Sequence, residues 1–227
     1  MEEPGRSPVR DNCVLLGVTG GIASGKSTVA RMLEEMGAPL IDFDVLSRIV
    51  VEPGKPAWKE IVTYFGEQIL REDQTLNRKV LSEIVFRDRR KRRKLESFTH
   101  PRIHEEFVRR IKRMTKEDPA AVIQVVVPLL IEANLRSLFD KLLLVYIPEE
   151  MQIRRLMERE PISRETAIRV LRSQLPIEEK RKYADYIVDN SGPLEKTRRQ
   201  VEEVWIQLKK LREEKRPAQG KTSQAPQ

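Results

Sequence analysis

Gly20-Gly21-Ile22-Ala23-Ser24-Gly25-Lys26-Ser27 decides how this chain is read. It fits G-x-x-x-x-G-K-[ST], the pattern of a phosphate-binding loop. An apolar run, Val14-Leu15-Leu16-Gly17-Val18, precedes it and predicts a buried strand. Val29, Met32, Leu33 and Met36 follow at helical spacing, and Gly37 stands where a helix should stop. Glycines there permit backbone angles and close approach that a side chain would block. Exposed N–H groups of the loop and first helical turn then converge where the helix dipole also favours an anion. The expected ATP-binding residues are Gly21, Ala23, Ser24, Gly25, Lys26, Ser27 and Thr28. Lys26 reaches the outer phosphates, and the Ser27 hydroxyl is placed to hold Mg²⁺. The strand and helix flanks make a glycine-rich turn that merely caps a helix the poorer reading.

Downstream, Ala38–Ile41 reads as a second strand ending in Asp42-Phe43-Asp44. Residues two apart in extended chain face one side, so both carboxylates are expected to project together. Carboxyl ends of strands are where ligands sit in open α/β sheets. Phosphoryl transfer wants two acids there, one for Mg²⁺ or its waters and one for a hydroxyl proton. The competing reading is an acidic turn in which Asp44 caps a helix over 45–51.

Residues 56–114 predict a helical insertion. Its apolar stripes are Trp58, Ile61, Val62 and Phe65, then Val80, Leu81, Ile84 and Val85, then Ile103, Phe107, Ile111 and Met114. His100-Pro101-Arg102 should break it, because proline disfavours helix at the preceding residue. Seven of the eight residues from Arg87 to Lys94 are basic. Without interleaved aromatics the run reads as a solvated helix face rather than a nucleic-acid patch. Ala120–Val127 is a β-branched strand leading to Pro128-Leu129-Leu130-Ile131-Glu132, with Glu132 placed to reach a site. A strand over 142–147 follows. Helices over 149–160 and 164–175, joined through Pro161-Ile162-Ser163, then form an arginine-rich hinged lid. Closing a lid over ATP excludes water, and lid arginines, Arg155 and Arg159 foremost, would neutralise the migrating phosphoryl group. A strand over 186–190 and a long helix over 194–214 complete the core.

The 227 residues carry 43 Lys and Arg against 35 Asp and Glu, a net charge of +8 that favours anionic partners. Cys13 is the one cysteine, which excludes an intramolecular disulfide and cysteine-rich metal sites. Residues 1–12 read as a loose leader without a signal peptide, and 215–227 as a disordered tail. No apolar run is long enough to span a bilayer, so a cytoplasmic protein is expected.

Taken in order, several motifs resemble the dephospho-coenzyme A kinase family. They are Thr19-Gly20-Gly21-Ile22, Ser24-Gly25-Lys26-Ser27-Thr28, Ile41-Asp42-Phe43-Asp44 and Val51-Glu52-Pro53-Gly54. His100-Pro101, Pro128-Leu129-Leu130-Ile131-Glu132 and Ala184-Asp185…Val188-Asp189-Asn190-Ser191-Gly192 continue the set. The likeness spans about Val14 to Leu211. It implies transfer of the γ-phosphoryl of ATP to the 3′-hydroxyl of dephospho-coenzyme A, the last step of coenzyme A biosynthesis. It also implies a three-layer α/β P-loop core with a parallel sheet (13–55, 116–150 and 184–214), a helical acceptor-binding insertion (56–115) and a small lid (151–183). By the matched motifs Asp44 would be the general base and Asp42 would organise Mg²⁺. Acceptor contacts are expected at Asp44, His100, Arg102 and Glu132. Departures are Ala23 for the usual loop glycine, expected to cost little, Phe43 for a small residue, Pro161 for a lid glycine, and the more basic run at 87–94. A kinase of the same architecture with another acceptor, and an ATPase that binds RNA or membranes, are the alternatives that this reading leaves open.

Overall fold

The first apolar run becomes the middle of a sheet. Val14–Gly20 forms β1, buried along its whole length. In the computed structural model, which describes residues 12–215, five strands lie in the order β2-β3-β1-β4-β5. They are β1, β2 (Leu40–Asp42), β3 (Val122–Val126), β4 (Lys141–Tyr146) and β5 (Tyr186–Asp189). β1 pairs in parallel with β3, Val14 opposite Val122, and with β4, Gly20 opposite Val145. β4 pairs in parallel with β5, Leu143 opposite Tyr186. β3 and β4 are buried through their centres, as strands covered on both faces must be. The phosphate loop leaves the carboxyl end of β1, where the chain's crossovers divide to either side.

Nine α-helices occur among the described residues: α1 (Lys26–Glu35), α2 (Phe43–Ile49), α3 (Pro56–Phe65), α4 (Arg78–Arg87), α5 (Arg89–Glu117), α6 (Glu149–Arg159), α7 (Arg164–Arg172), α8 (Ile177–Lys180) and α9 (Leu194–Lys215). None of the helices described is long and apolar enough to cross a membrane. The chain divides into two units, of which residues 42–112 are the second and the other described residues the first. In the first unit, Val29 and Leu33 of α1 and Val201, Val204 and Leu208 of α9 pack with Leu16, Val18, Leu143 and Val188 of the sheet. Gln124 is buried in β3, its amide donating to the carbonyls of Ala30 (2.8 Å) and Ala38 (3.0 Å). The second unit has its own core of Val50, Val51, Ala57, Ile61, Phe65, Ile69, Leu76 and Leu81. Leu95, Phe98 and Ile103 of α5 pack against that core.

Three local expectations change. Pro101 sits inside α5, so the helix runs through His100 instead of breaking there. Proline within a helix removes one hydrogen bond and costs about 3 kcal/mol. The apolar face of α5, on both sides of Pro101, offsets this by packing on the second core. The second strand ends at Asp42, and α2 begins at once with Phe43. Asp42, not Asp44, is therefore the helix cap. α7 stops at Arg172, and the short α8, which has no apolar stripe to betray it, follows. The expected leader and tail, Asn12 and Lys215 apart, lie outside the described residues. Lys215 closes α9 and bonds the Cys13 carbonyl (3.0 Å) and Asp140 (2.6 Å).

Candidate active site

The loop after β1 is shaped by what cannot fit there. A Cβ on Gly20 would sit 2.5 Å from the Val145 carbonyl oxygen and 2.7 Å from Ser24 Oγ. Gly25 caps α1 at φ 87°, in the left-handed region, with the Asn190 amide where a side chain would go. The backbone N–H groups of Ala23, Gly25 and Ser27 have no partner among the described residues. Ser24 Oγ is buried and likewise unpartnered. Unsatisfied donors at a helix N-terminus form a cradle for an anion. Lys26 folds over it, donating to the carbonyls of Gly20 (3.1 Å) and Gly21 (2.9 Å). Ser27 is exposed at the cradle's edge and Thr28 is half-buried behind it. Ala23 has φ 55°, so its methyl sits in the left-handed region at a cost of about 1–2 kcal/mol against a right-handed backbone. The expected low cost of alanine here considered only the exposure of the amides.

α6 and α7 belong to the same unit and pack on the loop. Ile153, Leu156 and Ala167 form a small core with Ile22 and Ala23 against them. Gln152, buried in α6, stands where any side chain on Gly21 would have to go and donates to the Ile147 carbonyl (3.3 Å). Arg155, on the same helix, donates to the Asn190 carbonyl (3.1 Å). Arg159 is exposed and paired with Glu160 (2.7 Å). The two arginines expected on one face are thus used differently: only Arg155 reaches a residue that supports the loop.

That residue is Asn190, buried past the end of β5. Its amide donates to the Ser24 carbonyl (2.8 Å) and its oxygen accepts from Thr197 (3.0 Å). Burial pushes the neighbouring Asp189 carboxyl up, but hydrogen bonds from Ser191 hold it below the usual carboxylate range. Glu132 ends the Pro128–Glu132 stretch. It accepts from the Leu175 N–H (3.1 Å) and pairs with Lys180 (2.7 Å), which is fully buried. The carboxylate ties the turn after β3 to the segment that leaves α7. Thr19 of β1 donates to the Pro128 carbonyl (3.2 Å), fixing the same turn from the other side.

In the second unit, Asp42 Oδ1 accepts from the N–H groups of Asp44 (2.8 Å) and Val45 (3.4 Å). Asp44 is already helical, so the pair does not share one side of a strand. Its carboxylate is exposed and has no hydrogen bond or ion pair among the described residues. Phe43 packs edge-on against Phe107, ring centroids 5.2 Å apart. Arg102 pairs with Glu60 (3.0 Å), and His100 is exposed on α5.

A family model for dephospho-CoA kinase matches residues 14–196. The chain belongs to the dephospho-CoA kinase family. The dephospho-CoA kinase of Syntrophus aciditrophicus is 48% identical over 195 residues, covering 86% of this chain and 83% of that protein. A solved dephospho-CoA kinase from Campylobacter jejuni superposes with a TM-score of 0.66 at 30% identity, covering 87% of this chain and 98% of that one. The crystal structure of TT1252 from Thermus thermophilus superposes with a TM-score of 0.74 at 32% identity, with the same coverages. The fold is the α/β fold of P-loop kinases, and the family's reaction is the final step of coenzyme A biosynthesis, from ATP and dephospho-coenzyme A.

For a dephospho-CoA kinase the cradle suits a nucleotide's phosphates: orphaned amides, a buried hydroxyl and a lysine converge on one spot. Among the described residues no three metal-ligating side chains cluster. Reasoning from sequence missed Gln152 and Asn190 as parts of the loop's support. Asn190 lay within a matched motif, but Gln152 lies in an ordinary amphipathic helix and carries no signal of its own.

Proposed function

We propose that this kinase holds ATP on Gly21–Thr28, and that Asp44 orients the 3′-hydroxyl of dephospho-coenzyme A and takes its proton. Lys26 and the free amides of the loop carry the charge of the outer phosphates. Ser27 and Asp42 are the residues assigned to Mg²⁺, which when bound neutralises charge on the phosphates. Arg155 stabilises the charge of the migrating phosphoryl group, with Arg159 outside that role. Phosphoryl transfer has a loose transition state, so positioning and charge neutralisation supply most of the catalysis. Residues 151–183 act as the lid and 56–115 as the acceptor-binding insertion. His100 and Arg102 remain acceptor contacts in this proposal. Glu132 serves the lid by holding Leu175 and Lys180. A cytoplasmic location belongs to the same reading, and cell fractionation checks it.

The observation that carries the proposal is the loop itself: unpartnered amides and a buried hydroxyl under Lys26, with Arg155 bonded to the asparagine that clamps the loop. The test is ADP release with Mg-ATP and a panel of alcohol acceptors. Dephospho-coenzyme A should be turned over and Lys26→Ala should abolish it. Preference for a different acceptor, or activity untouched in Lys26→Ala, would overturn it. Nucleic acid is not assigned to 87–94, where Arg92 is paired with Glu96 (2.9 Å). Salt-dependent retention of an oligonucleotide that is lost on neutralising that run would reverse this.

A further inference from the structure

The second unit holds a cavity that none of the roles above uses. It has a volume of about 300 Å³ and is lined by Arg48, Arg71 and Arg78, with Val51, Pro53 and Leu76. The turn that presents Arg71 is held by hydrogen bonds on both sides. Leu70 and Leu76 bridge in antiparallel fashion, and the Arg71 N–H donates to the Thr75 carbonyl (2.9 Å). Trp58 Nε1 donates to the carbonyl of Gln74 (2.9 Å), which sits at φ 63°. Arg48 is in α2, and Arg78 opens α4.

None of the three guanidiniums has an ion pair among the described residues. The two carboxylates at the cavity are already used. Glu52 pairs with Lys55 (2.7 Å), and Asp73 accepts from Thr75 Oγ1 (2.6 Å) and the Thr75 N–H (3.0 Å). Burial, then the charges of Arg48 and Arg71, push the Arg78 guanidinium below its ordinary value, with Asp44 acting the other way. Three like charges converge here without a direct ion pair among the described residues, although Glu52 and Asp73 line the same cavity and the charges of Asp73 and Asp44 act on Arg71 and Arg78. Arginine forks match phosphate oxygens and form charge-assisted bonds about twice as strong as neutral ones.

We propose that Arg48, Arg71 and Arg78 form a cup for the 5′-diphosphate of the nucleotide acceptor. The proposal rests on the assignment of Asp44 to the acceptor hydroxyl. Asp44 and Arg48 stand four residues apart on α2, which puts them on one face about 6 Å apart along the axis. The acceptor offers a matching pair of groups, a 3′-hydroxyl and a 5′-diphosphate carried by one ribose. A cup that grips the diphosphate therefore delivers the hydroxyl to the carboxylate and selects a nucleotide acceptor over an uncharged alcohol.

The test uses the full chain with saturating Mg-ATP and two acceptors, dephospho-coenzyme A and adenosine, which has the 3′-hydroxyl but no phosphate. For Arg71→Gln/Arg78→Gln, the ratio of kcat/KM between the two acceptors should fall about 10- to 100-fold, the range of lost charge-assisted bonds. The loss should appear in KM for dephospho-coenzyme A, and Arg78→Lys should recover part of it. The single variants replace the double one if melting shows it unfolded. An unchanged ratio in a folded variant, or equal losses with both acceptors, overturns the cup while leaving Asp44 in place. Failure of the wild-type chain to phosphorylate dephospho-coenzyme A overturns the functional reading, and the cup with it.

Discussion

The two units prepare their charged groups in opposite ways. Around the phosphate loop three charged groups each rest on a partner. Lys26 rests on two loop carbonyls, Arg155 on Asn190, and Glu132 on Lys180. In residues 42–112, Asp44 and the three arginines of the cavity have no such partners among the described residues, whereas Arg102, also given to the acceptor, is paired with Glu60. The difference is one of construction. The donor side is made of backbone amides, which can be aimed only by fixing the chain, so glycines and a buried asparagine lock it. The acceptor side is made of side chains on α2, a hydrogen-bonded turn and α4, which carry their charge into solvent and can remain open for an anion.

The largest test of that contrast is on α6. Arg155→Ala should lower kcat by about 10³-fold, the lower range seen for arginines that stabilise a transferring phosphoryl group. Arg159→Ala, whose guanidinium is held by Glu160, should change it less than about threefold, as exposed ion pairs contribute little. Equal losses in the two variants would break the distinction between a placed and a solvated lid arginine. Stability comes next. Glu132→Ala strands the buried Lys180 ammonium and should cost about 3 kcal/mol, read as a lowered melting midpoint. Retained stability would mean that the turn after β3 and the α7 exit are not joined through this pair. The smallest effect is at Ala23. Ala23→Gly relieves a left-handed backbone but adds unfolded-chain entropy, so denaturant midpoints should show a gain of at most about 1 kcal/mol. A clear loss would mean that the methyl's packing against α6 and α7 outweighs its strain.

What could be read from the sequence follows the same division. A backbone-built site needs consecutive residues of special conformation, so Gly20–Ser27 shows itself as a motif, flanked by the strand and helix that it requires. The parallel sheet was legible because β1, β3 and β4 are apolar runs buried on both faces. A side-chain-built site leaves no such trace: Arg48, Arg71 and Arg78 are scattered over thirty positions among many exposed arginines. Asp42 and Asp44 were found, but their geometry was misjudged because a helix starts one residue after the strand's last acid. Pro101 misled for a related reason: tertiary packing along α5 outweighs a local preference that alone would end a helix.

The central claim concerns one carboxylate, and it is tested by separating binding from chemistry. In Asp44→Asn, ATP affinity measured by equilibrium titration should stay within about threefold, because the loop's donors are untouched, while kcat with dephospho-coenzyme A falls by about 10²–10⁴-fold. Wild-type turnover in that variant, or a loss explained wholly by weaker ATP binding, would contradict the account.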